Sequence, residues 1–167
     1  RIRGVREISA LTDAAFDVRQ LSGSLLAQGM NAEQLTQVIT ALNDSLAQRA
    51  VELAAMHHDI GGRYCWLALG SEGRMEQTLA TDQDNALIFS GADKDRLLAF
   101  ADEVNQALDA AGFPLCKGGI MARNPRWCLS AEDWRSVFDR WIRTPEPEAL
   151  LNASIFFDFR PLAGEAH

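Results

Sequence analysis

The segments Tyr64-Cys65-Trp66-Leu67-Ala68-Leu69-Gly70-Ser71-Glu72-Gly73-Arg74 and Thr81-Asp82-Gln83-Asp84-Asn85-Ala86-Leu87-Ile88-Phe89 decide how this chain folds. Each contains a short apolar run, at 64–69 and 85–89, bounded by glycine or polar residues. Runs of that length are too short for a typical helix and read as buried strands. Between them lies the most polar and glycine-marked loop in the sequence, where rigid strands on either side would hold any reactive side chains.

Upstream of this pair the period is helical. Val5, Ile8, Leu11, Ala15, Val18, Leu21 and Leu25 recur at three- and four-residue steps, which predicts an amphipathic helix over 5–27 that stops at Gly29. Asn31, with Gln34 three residues on, has the form of a capping box. It opens a second helix carrying Leu35, Val38, Ile39, Leu42, Leu46 and Leu53. Downstream, Asp93 caps a helix through Leu97, Leu98, Ala101, Val104 and Leu108, which Gly112 closes. Residues 113–121 read as an irregular third strand, broken by Pro114 and the Gly118-Gly119 pair. Ser130 to Asp133 caps a helix bearing Trp134, Val137, Phe138, Trp141 and Ile142, and Thr144-Pro145 restarts a last one with Leu150, Leu151, Ile155 and Phe156. The expected fold class is α/β (α+β): a small mixed sheet flanked by helices, with a helical hairpin at 1–60 packed on a core at 61–167.

Composition narrows the function. A chain of 167 residues with 47% apolar content can fill a core without disulfides or structural metal. Its net charge of −7 argues against a nucleic-acid surface, which needs clustered cations. A small anion could still be held by Arg63, Arg74, Arg123 or Arg126. No apolar run approaches the roughly 20 residues a membrane helix requires. The three cysteines, Cys65, Cys116 and Cys128, are odd in number and widely spaced, as expected of reduced packing thiols in a cytoplasmic protein. The missing initiating Met leads us to expect a piece of a longer chain, with further domains on either side.

Asp82 and Asp84 are separated by one residue at the start of a strand, so alternation puts both carboxylates on one face. Two like charges so placed favour a hard cation such as Mg²⁺, or Mn²⁺, completed by water and phosphate oxygens. An isolated Asp-x-Asp is also common where one Asp caps a turn. The Gly70-Ser71-Glu72-Gly73-Arg74 loop adds small residues that let backbone N–H groups approach a phosphate, a hydroxyl at Ser71 and a guanidinium at Arg74. By itself it is equally a plain strand-to-helix turn. His57 and His58 diverge at a helix end and are read as solvated there or interacting with the helix dipole; Trp134 and Trp141, seven apart, are read as core.

Together, Gly70-Ser71-Glu72-Gly73-Arg74-Met75-Glu76-Gln77 and Thr81-Asp82-Gln83-Asp84-Asn85 resemble the signature of the DNA polymerase beta-like nucleotidyltransferase superfamily. Within it the chain is most similar to bacterial nucleotidyltransferase domains found beside CBS and cyclic-nucleotide-binding modules and related to protein-PII uridylyltransferase. Gly118-Gly119-Ile120-Met121-Ala122-Arg123-Asn124-Pro125 and Phe157-Asp158-Phe159-Arg160-Pro161-Leu162-Ala163-Gly164 also resemble that group. The resemblance implies transfer of a nucleoside monophosphate from a nucleoside triphosphate to a protein or small-molecule acceptor. Gly70, Ser71, Gly73 and Arg74 would bind the nucleotide, and Asp82 and Asp84 the metal. Many members carry a third catalytic carboxylate on a later strand. The stretch 113–122 has none, and Asp158, with Arg160 as a candidate ion-pair partner, is the substitute.

Overall fold

The computed structural model describes residues 2–78, 81–144 and 146–165. Among them are six α-helices and a four-stranded mixed sheet, the architecture expected of this sequence. Strand β1 (Arg63–Ala68) lies antiparallel to β2 (Asn85–Ser90), pairing Trp66 with Leu87 and Ala68 with Asn85. Strand β3 (Cys128–Ser130) runs parallel to β2, and β4 (Arg160–Gly164) antiparallel to β1, giving the order β3-β2-β1-β4.

Strand alternation divides the interior in two. Trp66, Ala68 and Leu87 face α1 (Leu11–Ala27), α2 (Ala32–Ala55) and α4 (Lys94–Ala110), where they join Leu11, Leu46, Val51, Leu97, Phe100 and Val104. Cys65, Leu67, Leu69 and Ala86 face an aromatic layer of Trp127, Trp134, Trp141 and Phe156, built largely on α5 (Ala131–Arg143) and α6 (Pro147–Phe156). Trp134 donates its indole N–H to the Leu87 carbonyl at 3.1 Å, so its one polar atom is satisfied in the core.

The caps follow the sequence closely. Asn31, Asp93 and Ser130 each accept hydrogen bonds from the first turns of α2, α4 and α5. At the end of α1, the Met30 and Gly29 N–H groups return to the Leu25 and Leu26 carbonyls, the Schellman pattern.

Four expectations need correction. The helix expected over 5–27 begins only at Leu11, behind two 3₁₀ turns at Ile2–Gly4 and Ile8–Ala10. Residues 113–121 are not a strand: a turn at Lys117–Gly118 interrupts irregular backbone, and the parallel partner of β2 is the three-residue Cys128–Ser130. The last helix starts at Pro147, its N1 residue; Pro145 lies outside the described residues. Strand β4, unexpected from a segment containing Pro161 and Gly164, pairs with β1 across a bulge between Trp66 and Leu67. Among the described residues no helix is long and apolar enough to cross a membrane.

Candidate active site

β1 leads directly into the single helical turn α3 (Gly70–Gly73). Gly70 has φ +53°, and a Cβ there would stand 3.2 Å from Asp84 Oδ2. Only glycine reaches this conformation without strain while lying against that carboxylate. Gly73 sits on the Asp158 backbone, where a Cβ would come 1.6 Å from the carbonyl oxygen. Thus the turn is wedged between the start of β2 and the segment before β4.

The loop before β2 is fixed by alternation. The Leu69 N–H donates to the Asp84 carbonyl (3.0 Å), tying the two strands together at the site. Asp82 and Asp84 point one way, Asp82 exposed and Asp84 half-buried. Gln83 and Asn85 point the other way, into a buried amide network. Gln83 Nε2 donates to the Asn105 and Phe113 carbonyls (3.0 and 2.8 Å). Asn105 Nδ2 donates to Gln83 Oε1 (2.7 Å) and Asn85 Oδ1 (3.0 Å). The Ala122 and Arg123 N–H groups donate to Asn85 Oδ1 (2.8 Å) and Asn105 Oδ1 (3.1 Å). Sequence reasoning did not find this network. Its signal was Asn105 itself, an amide on the α4 face that otherwise carries Leu97, Ala101, Val104 and Leu108.

The network anchors residues 113–123 as the second wall of the site. On that wall Cys116 comes to Asp82 and Asp84; ligand atoms of the three lie within 4.8 Å of one another. Cys65 and Cys128 are buried packing thiols as expected, but Cys116 is not. Burial, then the negative charge of Asp82, raises the Asp84 pKa, while a hydrogen bond from Cys116 lowers it. The oxygen and sulfur donors present fit a divalent cation.

Arg74 projects from the turn into solvent. Its Nε donates to Glu76 Oε2 (2.9 Å) and its Nη1 to Asp158 Oδ2 (2.8 Å). Asp158 therefore lies beside Arg74, and the group completing the aspartate cluster is a thiol. Arg160 does not pair with Asp158; its Nη2 donates to Asp44 Oδ1 (2.9 Å) and to the Glu72 carbonyl (3.1 Å). Glu72 itself is buried, its pKa pushed up to about 8 by burial first and then by Asp44 and Asp84, against an opposing effect of Arg160.

Of the other arginines considered, Arg123 pairs with Asp102 (2.7 Å) and Arg126 with Glu148 (2.9 Å). The two histidines also have a partner: His57 Nδ1 and His58 Nε2 lie 2.7 and 2.6 Å from the two oxygens of Glu103. They are not simply solvated.

The family described as "Putative nucleotidyltransferase DUF294" matches residues 17–148, a span that includes the Gly70–Gly73 turn, both aspartates and Cys116 and excludes Asp158. No curated protein matches the chain.

Proposed function

The chain belongs to this nucleotidyltransferase family, whose match spans well over half of it, and on that premise we propose a reaction. A nucleoside monophosphate passes from a nucleoside triphosphate to an acceptor on a protein or small molecule, in the manner of protein-PII uridylyltransferases. One observation carries the reading: Gly70 lies against Asp84, so the glycine-serine turn and the aspartate pair form one site.

In this reading Asp82 and Asp84 would hold Mg²⁺ or Mn²⁺. When bound, the cation neutralises triphosphate charge and favours departure of pyrophosphate. The protein supplies position. Gly70, Ser71 and Gly73 let the turn approach the triphosphate with backbone N–H groups and the Ser71 hydroxyl. Arg74 exchanges its exposed carboxylate partners for phosphate oxygens. The acceptor heteroatom bonds to the α-phosphorus as the bond to the bridging oxygen breaks; pyrophosphate leaves, and the acceptor proton passes to solvent. Residues 1–60 serve as a helical support for the 61–167 core, and neighbouring CBS or cyclic-nucleotide-binding domains would regulate it in the cytoplasm.

Calorimetric titration of ATP, UTP, GTP and CTP, with Mg²⁺ and with chelator, tests this on the wild type and an Asp82→Asn, Asp84→Asn variant. The expected result is Mg²⁺-dependent binding that the variant lacks, with pyrophosphate release once the acceptor is supplied. A second reading, a nucleotide-binding regulatory module without turnover, is favoured by the position of Asp158 against Arg74. Binding without pyrophosphate release under any acceptor would select it, and absence of binding would exclude both.

A further inference from the structure

We propose that Cys116 makes the Asp82–Asp84 site a trap for thiophilic divalent cations, Zn²⁺ foremost, which seat there as three-residue chelates and block it against Mg²⁺. This rests on the cation site of the transferase reading.

The thiol reaches the carboxylates through the fold. The Gln83 and Asn85 N–H groups donate to the Pro114 and Ile120 carbonyls (3.0 and 3.1 Å), pinning the 114–120 segment at both ends to the stretch that bears the aspartates and leads into β2. Between these points the Gly119 N–H closes a turn onto the Cys116 carbonyl (3.0 Å). The turn sets the Cys116 sulfur beside both carboxylates, within 4.8 Å of an oxygen of Asp82 and of Asp84.

Donor atoms around a tetrahedral Zn²⁺ stand about 3.3–3.8 Å apart, given Zn–S near 2.3 Å and Zn–O near 2.0–2.2 Å. Atoms already within 4.8 Å reach that spacing by small side-chain rotations. One thiolate and two carboxylates leave a fourth position for water or a phosphate oxygen. Zn²⁺ takes the place of the thiol proton, which leaves to solvent. Mg²⁺ prefers oxygen and an octahedral shell, so it uses the aspartates and leaves the Cys116 sulfur out of its shell.

The test titrates the whole chain with Co²⁺, whose bond to a thiolate gives an intense near-ultraviolet charge-transfer band that oxygen ligands lack. The band is expected at one equivalent, displaced by Zn²⁺. It should be lost in Cys116→Ser, in Cys116→Ala, and in Asp84→Asn, which keeps the thiol. Zn²⁺ affinity should fall about 10–100-fold in Cys116→Ser, the scale of losing one supporting group at a metal site, with Mg²⁺ affinity unmoved. Co²⁺ bound without the band, or a band that survives Cys116→Ser, would overturn the proposal. If Mn²⁺ still binds in that case, the transferase reading stands; a chain that binds neither Mn²⁺ nor Co²⁺ loses both.

Discussion

The two walls of the site are held by opposite means. The 70–78 wall rests on backbone closeness, Gly73 against the Asp158 carbonyl, and on ion pairs of Arg74 in open solvent. The 113–123 wall is held by uncharged amides shut away from water around Asn105. Solvent-screened pairs are worth little and exchange easily. Buried amides cannot be unmade without stranding donors and acceptors. The first wall is therefore free to trade partners with an arriving anion, and the second sets the position of Asp82, Asp84 and Cys116.

Breaking the second wall should have the largest effect. Asn105→Ala leaves Gln83 Oε1 and the Arg123 N–H without their partners and removes a donor from Asn85. At about 1–3 kcal/mol for each of the two stranded groups, the loss should be about 2–6 kcal/mol. Urea unfolding measures it. A loss below about 1 kcal/mol would mean that the network is not what anchors the wall.

Glu72 stands on the first wall but is buried like the second, and pH separates the two characters. Its folded pKa of about 8 lies above the ordinary carboxylate value of 4.5, so folding takes up a proton between those values. Stability from this group is fully present below about pH 4.5 and is lost as pH rises towards 8, at about 1.4 kcal/mol per unit. Glu72→Gln, which cannot ionise, should gain on the wild type by about 2–3 kcal/mol between pH 6 and pH 8. Equal pH slopes for the two proteins would show that Glu72 is ionised in the folded state.

The same contrast explains what the sequence could tell. The first wall and the aspartate pair follow from short-range rules: an apolar run, a glycine turn, and alternation that separates 82 and 84 from 83 and 85. The helix caps at Asn31, Asp93 and Ser130 are equally local. The second wall depends on an amide that α4 delivers from twenty residues beyond Asn85, and no local pattern announces that meeting. β3 is three residues long, too short for periodicity to register, while β4 carries Pro161 and Gly164 and exists because β1 has an open edge beside it. Cys116 failed for the same reason: its role comes from pairing between residues 114–120 and the start of β2, not from its neighbours in sequence.

A smaller effect is expected at Gly70, where the first wall meets the aspartates. Gly70→Ala puts a Cβ into the left-handed region at φ +53° and 3.2 Å from Asp84 Oδ2. The strain should cost about 1–2 kcal/mol. Thermal melting should show that loss, and Mg²⁺-dependent nucleotide affinity should fall with it, since Asp84 must shift to make room. Unchanged affinity at reduced stability would separate the turn from the metal site.

The smallest effect on stability is expected at Arg74, and that is what makes it informative. Its two ion pairs are exposed and salt-screened, so Arg74→Ala should unfold at the same denaturant concentration as the wild type. If the guanidinium is held in reserve for phosphate, the same variant should bind triphosphate more weakly and lose much of the salt dependence of that binding. Arg74→Lys should recover little, because an ammonium keeps the charge but not the planar fork that spans two oxygens. A variant that matches wild type in nucleotide affinity would assign Arg74 to holding Asp158. A destabilised one would mean that the first wall is as rigidly built as the second, and the contrast between them would fail.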